Sequence, residues 1–330
     1  MLKNIKNQSK NIATIFLAVT LLYLAFRNVH WTELLEIFQK GRPAIFLFAF
    51  LLQMSSYFIR SLRWYILLSA EKPIGIINVF WGTMSGYLGN NLLPARAGEL
   101  IRTLAIGNNT GLSKTFIIGT ILVECGMDVI FLVLVGLISF NNMSALPEWF
   151  LRGRKSIAIL GLILLGGILL APRMEKLLQS GVKWLPWLSE NSKSRILIFI
   201  QKILSGMRAL QQSGRLVGFV VLTLIIWAID AFFITQIGLA LHLSISVALA
   251  FLLLAALGLS SAIPSTPGYI GVYQFVTVNV LVPFGFSQSQ ALAFIIALQA
   301  ISFCSVILFG FIGLWQLGAL HLFKPSKLDP

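Results

Sequence analysis

Charge is what this chain has least of. Asp, Glu, Lys and Arg make up 11% of its 330 residues, and only eleven residues are acidic. A soluble domain of this length carries about twice that charged fraction, so that class is excluded. Cysteine is nearly absent too. Cys125 and Cys304 both fall inside apolar runs, which excludes a disulfide framework and leaves them as small packing residues. The three histidines, His30, His242 and His321, lie far apart, and no HExxH, CxxC, Walker A or GxGxxG pattern occurs. No metal site and no cofactor is therefore expected.

What the chain has instead is apolar length. It is 57% hydrophobic, and its mean hydropathy is +0.88. Several apolar runs reach about 17–25 residues, enough to cross a hydrocarbon core of ~30 Å as helices. They lack the alternation of an outer-membrane barrel strand. The reading is an all-α polytopic membrane protein. Its net charge of +14 sits in short segments beside apolar spans, as on the cytoplasmic side of membrane proteins, and no nucleic-acid partner is implied. Lys3, Lys6 and Lys10 precede the first run without a small-x-small cleavage pattern, so that run is read as an uncleaved span.

Clear spans fall at 12–27, 44–66, 115–140, 156–171, 216–240 and 288–318. Two further apolar regions are broken, one by Pro94 and one by "PSTPG" at 264–268. Proline removes a helical hydrogen bond, and glycine leaves the helix readily. Treating both regions as hairpins that enter and leave on one side puts 19 Lys and Arg inside and 6 outside; treating them as full crossings puts 11 inside and 14 outside. The positive-inside rule favours hairpins and cytoplasmic termini. One integral domain over 1–330 then divides into inverted halves, about 12–140 and 156–318, each of three spans and a re-entrant hairpin. The breaks "LPARAG" (93–98) and "IPSTPG" (263–268) share P-x-x-x-G, 170 residues apart. Interrupted segments at matching positions of inverted halves point to a transporter's site. Residues 172–215 read as a cytoplasmic amphipathic linker or a plain connector, with Ile196, Phe199, Ile200, Ile203, Met207 and Leu210 at helical spacing. Trp31, Leu34, Leu35 and Phe38 suggest a short interfacial helix outside.

The charged stretch "NNLLPARAGELIR" (90–102) holds the strongest candidates. Asn90 and Asn91 can satisfy backbone groups freed at Pro94. If helix resumes near Ala97, Glu99 and Arg102 are i,i+3 neighbours, with Arg96 just before them. One carboxylate cannot neutralise two guanidiniums, so excess positive charge is expected there. Each Arg costs about 2.5–3.5 kcal/mol at mid-membrane, which an anionic guest offsets. The planar guanidinium fork matches phosphate. An ordinary cytoplasmic loop with a surface ion cluster is the competing account. Arg63 and Trp64 read as a snorkelling cation beside an interfacial Trp, while Arg60 lies deeper. Glu124 and Asp128 share a helix face, either paired with Arg96 or Arg102 or holding a proton. Asp230 stands alone in its span, as a functional acid or a partner of Arg60. The second tip, "SSAIPSTPGYIGVYQ" (260–274), offers neutral Ser265, Thr266, Tyr269 and Gln274, with Pro264, Pro267, Gly268 and Gly271 as hinge positions beside Pro94 and Gly98 of the first.

"NNLLPARAGELIR", "RSLRW" (60–64), "VECGMD" (123–128) and "PSTPGYIGVYQ" (264–274) resemble the lysylphosphatidylglycerol synthase transmembrane-region family over most of the chain. The resemblance implies binding of an anionic or modified lipid and its movement across the cytoplasmic membrane. It marks Asn91, Pro94, Arg96, Gly98, Glu99 and Arg102 as motif positions, with Arg63, Trp64, Glu124, Asp128, Pro267, Gly268 and Gly271. The family often has Glu-Arg where this chain has Glu124-Cys125, and Glu where it has Gln274. The soluble aminoacyl-transferring domain of two-part members is not expected here, so the chain reads as a non-enzyme. Its expected substrate is an anionic lipid or a polyprenyl-phosphate-linked carrier. A membrane scaffold for a partner synthase or glycosyltransferase, docked through 172–215, is the alternative; a membrane-embedded lipid-phosphate enzyme using Glu124, Asp128 or Asp230 is the third reading.

Overall fold

A computed structural model of the chain describes residues 19–27, 29–93, 97–141, 173–184, 189–211, 214–261 and 266–319, with scattered positions between 159 and 170. Every regular element among the described residues is helical. Residues 19–26 are helical. They are followed by α1 (Trp31–Gln39), α2 (Pro43–Leu68), α3 (Ile76–Leu92), α4 (Gly98–Thr110), α5 (Lys114–Asn141), α6 (Glu175–Lys183) and α7 (Glu190–Gln211). Then come α8 (Arg215–Ala240), α9 (Val247–Ser260), a 3-10 turn at Pro267–Tyr269, α10 (Val272–Leu281) and α11 (Gln288–Gln316).

Local chemistry sets these boundaries. Pro43 opens α2 at the first turn, where its missing N–H costs nothing. Ser287 caps α11 by accepting from Gln290 N (3.1 Å), while its own N–H donates to Gln290 Oε1 (2.9 Å). Gly111, at φ +73°, closes α4 in the left-handed conformation. Among the described residues four helices are long and apolar enough to span a membrane: α2, α5 through Gly136, α8 and α11. They occupy the expected spans at 44–66, 115–140, 216–240 and 288–318; of the span expected at 12–27 residues 12–18 lie outside the described residues, as does most of that at 156–171. Their outward faces stay apolar, as Phe58, Leu224 and Leu308 show. The protein is a multi-pass membrane protein.

The first broken region folds as an antiparallel helix pair. Ile106 packs over Gly82, the Arg102 stem over Gly86, and Gly98 against Gly89. A side chain at Gly98 would overlap the Gly86 carbonyl oxygen, so this close approach requires glycine. In the second region α9 packs on α10, and its turn at 267–269 contacts α3 of the first pair. Pro94, Arg96, Pro264 and Ser265 lie outside the described residues.

The apolar interior forms two main clusters. One gathers Phe233, Ile237, Leu253 and Phe294; the other gathers Trp64, Met84, Ile117 and Phe219. Three of the four long helices run through both. In α2, Ala49 belongs to the first cluster and Leu67 to the second; in α8, Ile234 and Phe219 divide likewise; in α11, Leu298 and Val306 do. Gln53 in α2, Thr223 and Asp230 in α8, and Gln299 and Ser302 in α11 fall between members of the two cores along their helices.

The expected surface helix differs in placement. The C-terminal half of α7 docks on α5 through small residues, with Gly206 against the Phe116 carbonyl and the Thr120 N–H, and Gly119 against the Ile203 backbone. Leu204, Ala209 and Leu210 are buried there. Of the apolar face anticipated from spacing, only Leu210 is fully buried, because backbone approach at Gly206 rather than long side chains selects the docking side.

Candidate functional site

Between the two apolar cores lies an ionic network whose charges come from four helices. Arg63, from α2, is 1% exposed. It donates Nη1 and Nη2 to Asp128 Oδ1 and Oδ2 (2.5 and 2.9 Å), a bidentate pair, and reaches Glu124 Oε1 (3.1 Å) and Thr223 Oγ1 (3.2 Å). Arg102, from α4, donates Nη1 to Glu124 Oε2 at 2.9 Å. Arg60 pairs with Asp230, whose second oxygen accepts from Ser56 Oγ at 2.5 Å. Each guanidinium also lies over an aromatic face: Arg102 over Trp64 at 4.6 Å, Arg63 over Phe219 at 5.0 Å and Arg60 over Trp227 at 5.5 Å. Helical spacing puts Glu124 and Asp128 one turn apart on α5, so both face the same arginine.

The most exposed carboxylate of the network is Glu99. Its Oε2 lies 2.5 Å from Arg102 Nε, yet neither atom makes an aligned hydrogen bond. Its side chain is 28% exposed, against 6% for Glu124. Asn90 organises this corner: its Oδ1 accepts from Gly98 N at 2.9 Å, and its Nδ2 reaches Glu99 Oε1 at 3.4 Å. Asn90 thereby caps the free N-terminus of α4 from the end of α3.

These groups line a cavity of about 350 Å3. The first helix pair contributes Tyr87, Asn90, Asn91, Glu99 and Arg102; the second tip contributes Ser261, Gly268, Tyr269 and Tyr273. Gln53, Tyr57 and Arg60 come from α2, Glu124, Cys125 and Asp128 from α5, and Gln299 and Ser302 from α11. Tyr269 and Tyr273 stack with centroids 4.9 Å apart, and Tyr57 and Tyr87 pair at 5.2 Å. Such a size and lining suit a polar headgroup better than a lipid tail.

The structure therefore brings Asn90, Asn91, Arg60, Glu99, Arg102, Glu124, Asp128, Gly268 and Tyr269 to one cavity. Three candidates stand elsewhere. Asp230 sits behind Arg60 and does not line the cavity. Thr266 donates its hydroxyl to the Ile270 carbonyl at 2.7 Å. Gln274 is committed to the fold: its Oε1 accepts from Gly271 N (2.7 Å) and its Nε2 donates to Gln299 Oε1 (2.6 Å). Gln299 in turn donates to the Gly268 carbonyl at 3.0 Å, tying the second tip to α11. Gly268 and Gly271 take φ of +67° and +91°, and Pro267 opens the turn.

One expectation is corrected. Arg63 and Trp64 do not snorkel; both are buried, because Asp128, Glu124 and Thr120 supply partners from α5. The excess positive charge expected at 90–102 depends on Arg96, which lies outside the described residues; among those residues three guanidiniums meet four carboxylates. Sequence reasoning passed over Gln53, Tyr57, Tyr87, Gln299 and Ser302. Gln53 and Gln299 were detectable as amides inside apolar runs, since an intramembrane polar group implies a buried partner or a cavity.

A family model described as the lysylphosphatidylglycerol synthase TM region matches residues 11–310. A membrane protein of the UPF0104 group from Methanocaldococcus jannaschii is 26% identical over 227 residues, covering 67% of this chain and 90% of the relative. No solved structure matches. The chain belongs to the lysylphosphatidylglycerol synthase TM-region family.

Proposed function

We propose that this protein moves an anionic, phosphate-bearing lipid, or a polyprenyl-phosphate-linked carrier, between the leaflets of the cytoplasmic membrane, without covalent chemistry. One observation carries the reading. The tips of both helix pairs line the same polar cavity, and that cavity holds Arg60 and Arg102 between two apolar cores. In this reading the pairs α3/α4 and α9/α10 are re-entrant, the halves are inverted and both termini are cytoplasmic. The phosphate enters at Glu99, the loosest carboxylate, and takes its place on Arg102, while the tail stays in the bilayer. Glu124 and Asp128 keep Arg63 and Arg102 in place rather than serving as acid or base.

The test is reconstitution of the full chain into vesicles bearing acyl-labelled phosphatidylglycerol, with a membrane-impermeant quencher reading the outer leaflet. Wild type speeds loss of the protected signal, and Arg102→Ala slows it by about tenfold, the worth of one charged hydrogen bond. A wild-type rate equal to that of empty vesicles overturns the reading. Retained lipid in native mass spectra without any movement would favour the scaffold alternative. Cysteine labelling in 172–215 from the cytoplasmic side checks the orientation.

A further inference from the structure

Each charged side chain of the cavity already faces an opposite charge. Arg60 faces Asp230, Arg102 faces Glu99 and Glu124, and Asp128 faces Arg63. Beside these ion pairs the cavity offers neutral hydrogen-bonding groups. Gln53, in α2 between the two apolar cores, is 8% exposed and lines the cavity. Its amide makes no hydrogen bond to another described residue, which leaves it able to bond a guest in the cavity. The Asn91 amide lines the same cavity, equally unengaged among those residues, and Tyr57, Tyr87 and Ser302 add hydroxyls around it.

We infer that Gln53 and Asn91 form a hydroxyl-reading subsite, which selects phosphodiester lipids whose headgroup carries neutral hydroxyls and no second charge, as an inositol or glycosyl headgroup does. This rests on the lipid-moving reading above and narrows it. One phosphodiester charge displaces one carboxylate, Glu99, from Arg102. The headgroup ring then meets the amides and tyrosines. A phosphate monoester brings a second negative charge for which no unpaired guanidinium stands among the described residues of the cavity, and an amine headgroup meets carboxylates already held by arginine.

The experiment compares acyl-labelled phosphatidylinositol, phosphatidic acid and phosphatidylethanolamine, with identical tails, in vesicles holding the full chain. Wild type moves phosphatidylinositol at least about fivefold faster than the other two, and Gln53→Leu brings that ratio near one, the loss of one net hydrogen bond. Gln53→Asn, which keeps an amide, retains part of the preference. Native mass spectrometry of wild type in an equimolar mixture of the three lipids gives a second reading that needs no variant, and phosphatidylinositol is the lipid retained. Equal rates for all three lipids, or a ratio untouched by Gln53→Leu, overturn the subsite while leaving lipid movement standing. Absence of both movement and binding for every lipid overturns the transport reading itself, and the subsite with it.

Discussion

At the scale of single residues, the ionic network divides into members that hold the fold and one that is free to yield. Arg63 sits in the protein interior with Asp128 and Glu124 on its two nitrogens. Removing it strands the Asp128 carboxylate and leaves the buried Glu124 with Arg102 alone. Arg63→Ala is therefore expected to cost about 3–5 kcal/mol, read as a lower thermal midpoint in detergent and a smaller folded fraction on gel filtration. Glu99→Gln, by contrast, removes the charge of a partly exposed side chain whose Arg102 keeps Glu124, and its effect on the same midpoint stays within about 1 kcal/mol. Equal losses from the two variants would contradict the division. Little of this was legible in the sequence. The Glu99–Arg102 neighbourhood follows from three-residue spacing on one helix, but Arg63 meets Asp128 across 65 positions and Arg60 meets Asp230 across 170. Local periodicity places each charge on a face of its own helix; only the packing of α2 against α5 and α8 decides which faces meet. The second carboxylate on Arg102, Glu124, was out of reach for the same reason, since it comes from another helix.

At the scale of elements, the two helix pairs are held by different devices. Between α3 and α4, glycine gives backbone contact. Gly98→Ala drives a methyl group into the Gly86 carbonyl and should cost about 1–3 kcal/mol by overpacking, visible as a lowered thermal midpoint with the helical circular-dichroism signal retained. The second tip is tied down by amides instead. Gln299→Leu cuts the relay from Gln274 to the Gly268 carbonyl, leaving two polar groups unpaired. Proteolysis or hydrogen exchange should then report faster opening at 266–274 than in α11. Protection unchanged in that turn would show that the amides do not hold it. The breaks themselves were legible, because proline and glycine interrupt otherwise continuous apolar runs. What they bring together was not, since a relay such as Gln274–Gln299 depends on α10 lying against α11.

At the scale of the whole molecule, an apolar exterior surrounds a polar cavity, and the two should answer differently to probes. In a Cys125→Ser, Cys304→Ser background, Leu308→Cys on the outward face of α11, where Leu308 is 55% exposed, should be quenched by lipid-borne spin labels. Ser302→Cys, on the cavity wall of the same helix, should react instead with a small water-soluble thiol reagent. Reversed responses would mean that α11 faces the bilayer with its polar side, which the membrane reading excludes. This division into spans and outward faces was the most legible part of the fold, because four of the expected crossings are simply the longest apolar runs.

The layering of ions between two dry cores has a mechanical consequence. Close-packed hydrocarbon resists shear, since every side chain is keyed into its neighbours. Carboxylates and guanidiniums can trade partners while the number of contacts stays the same. Helices α2, α8 and α11 pass through all three strata, so the ion layer is the natural fulcrum about which their two ends can lever, and a guest seated at Arg102 would sit at the pivot itself.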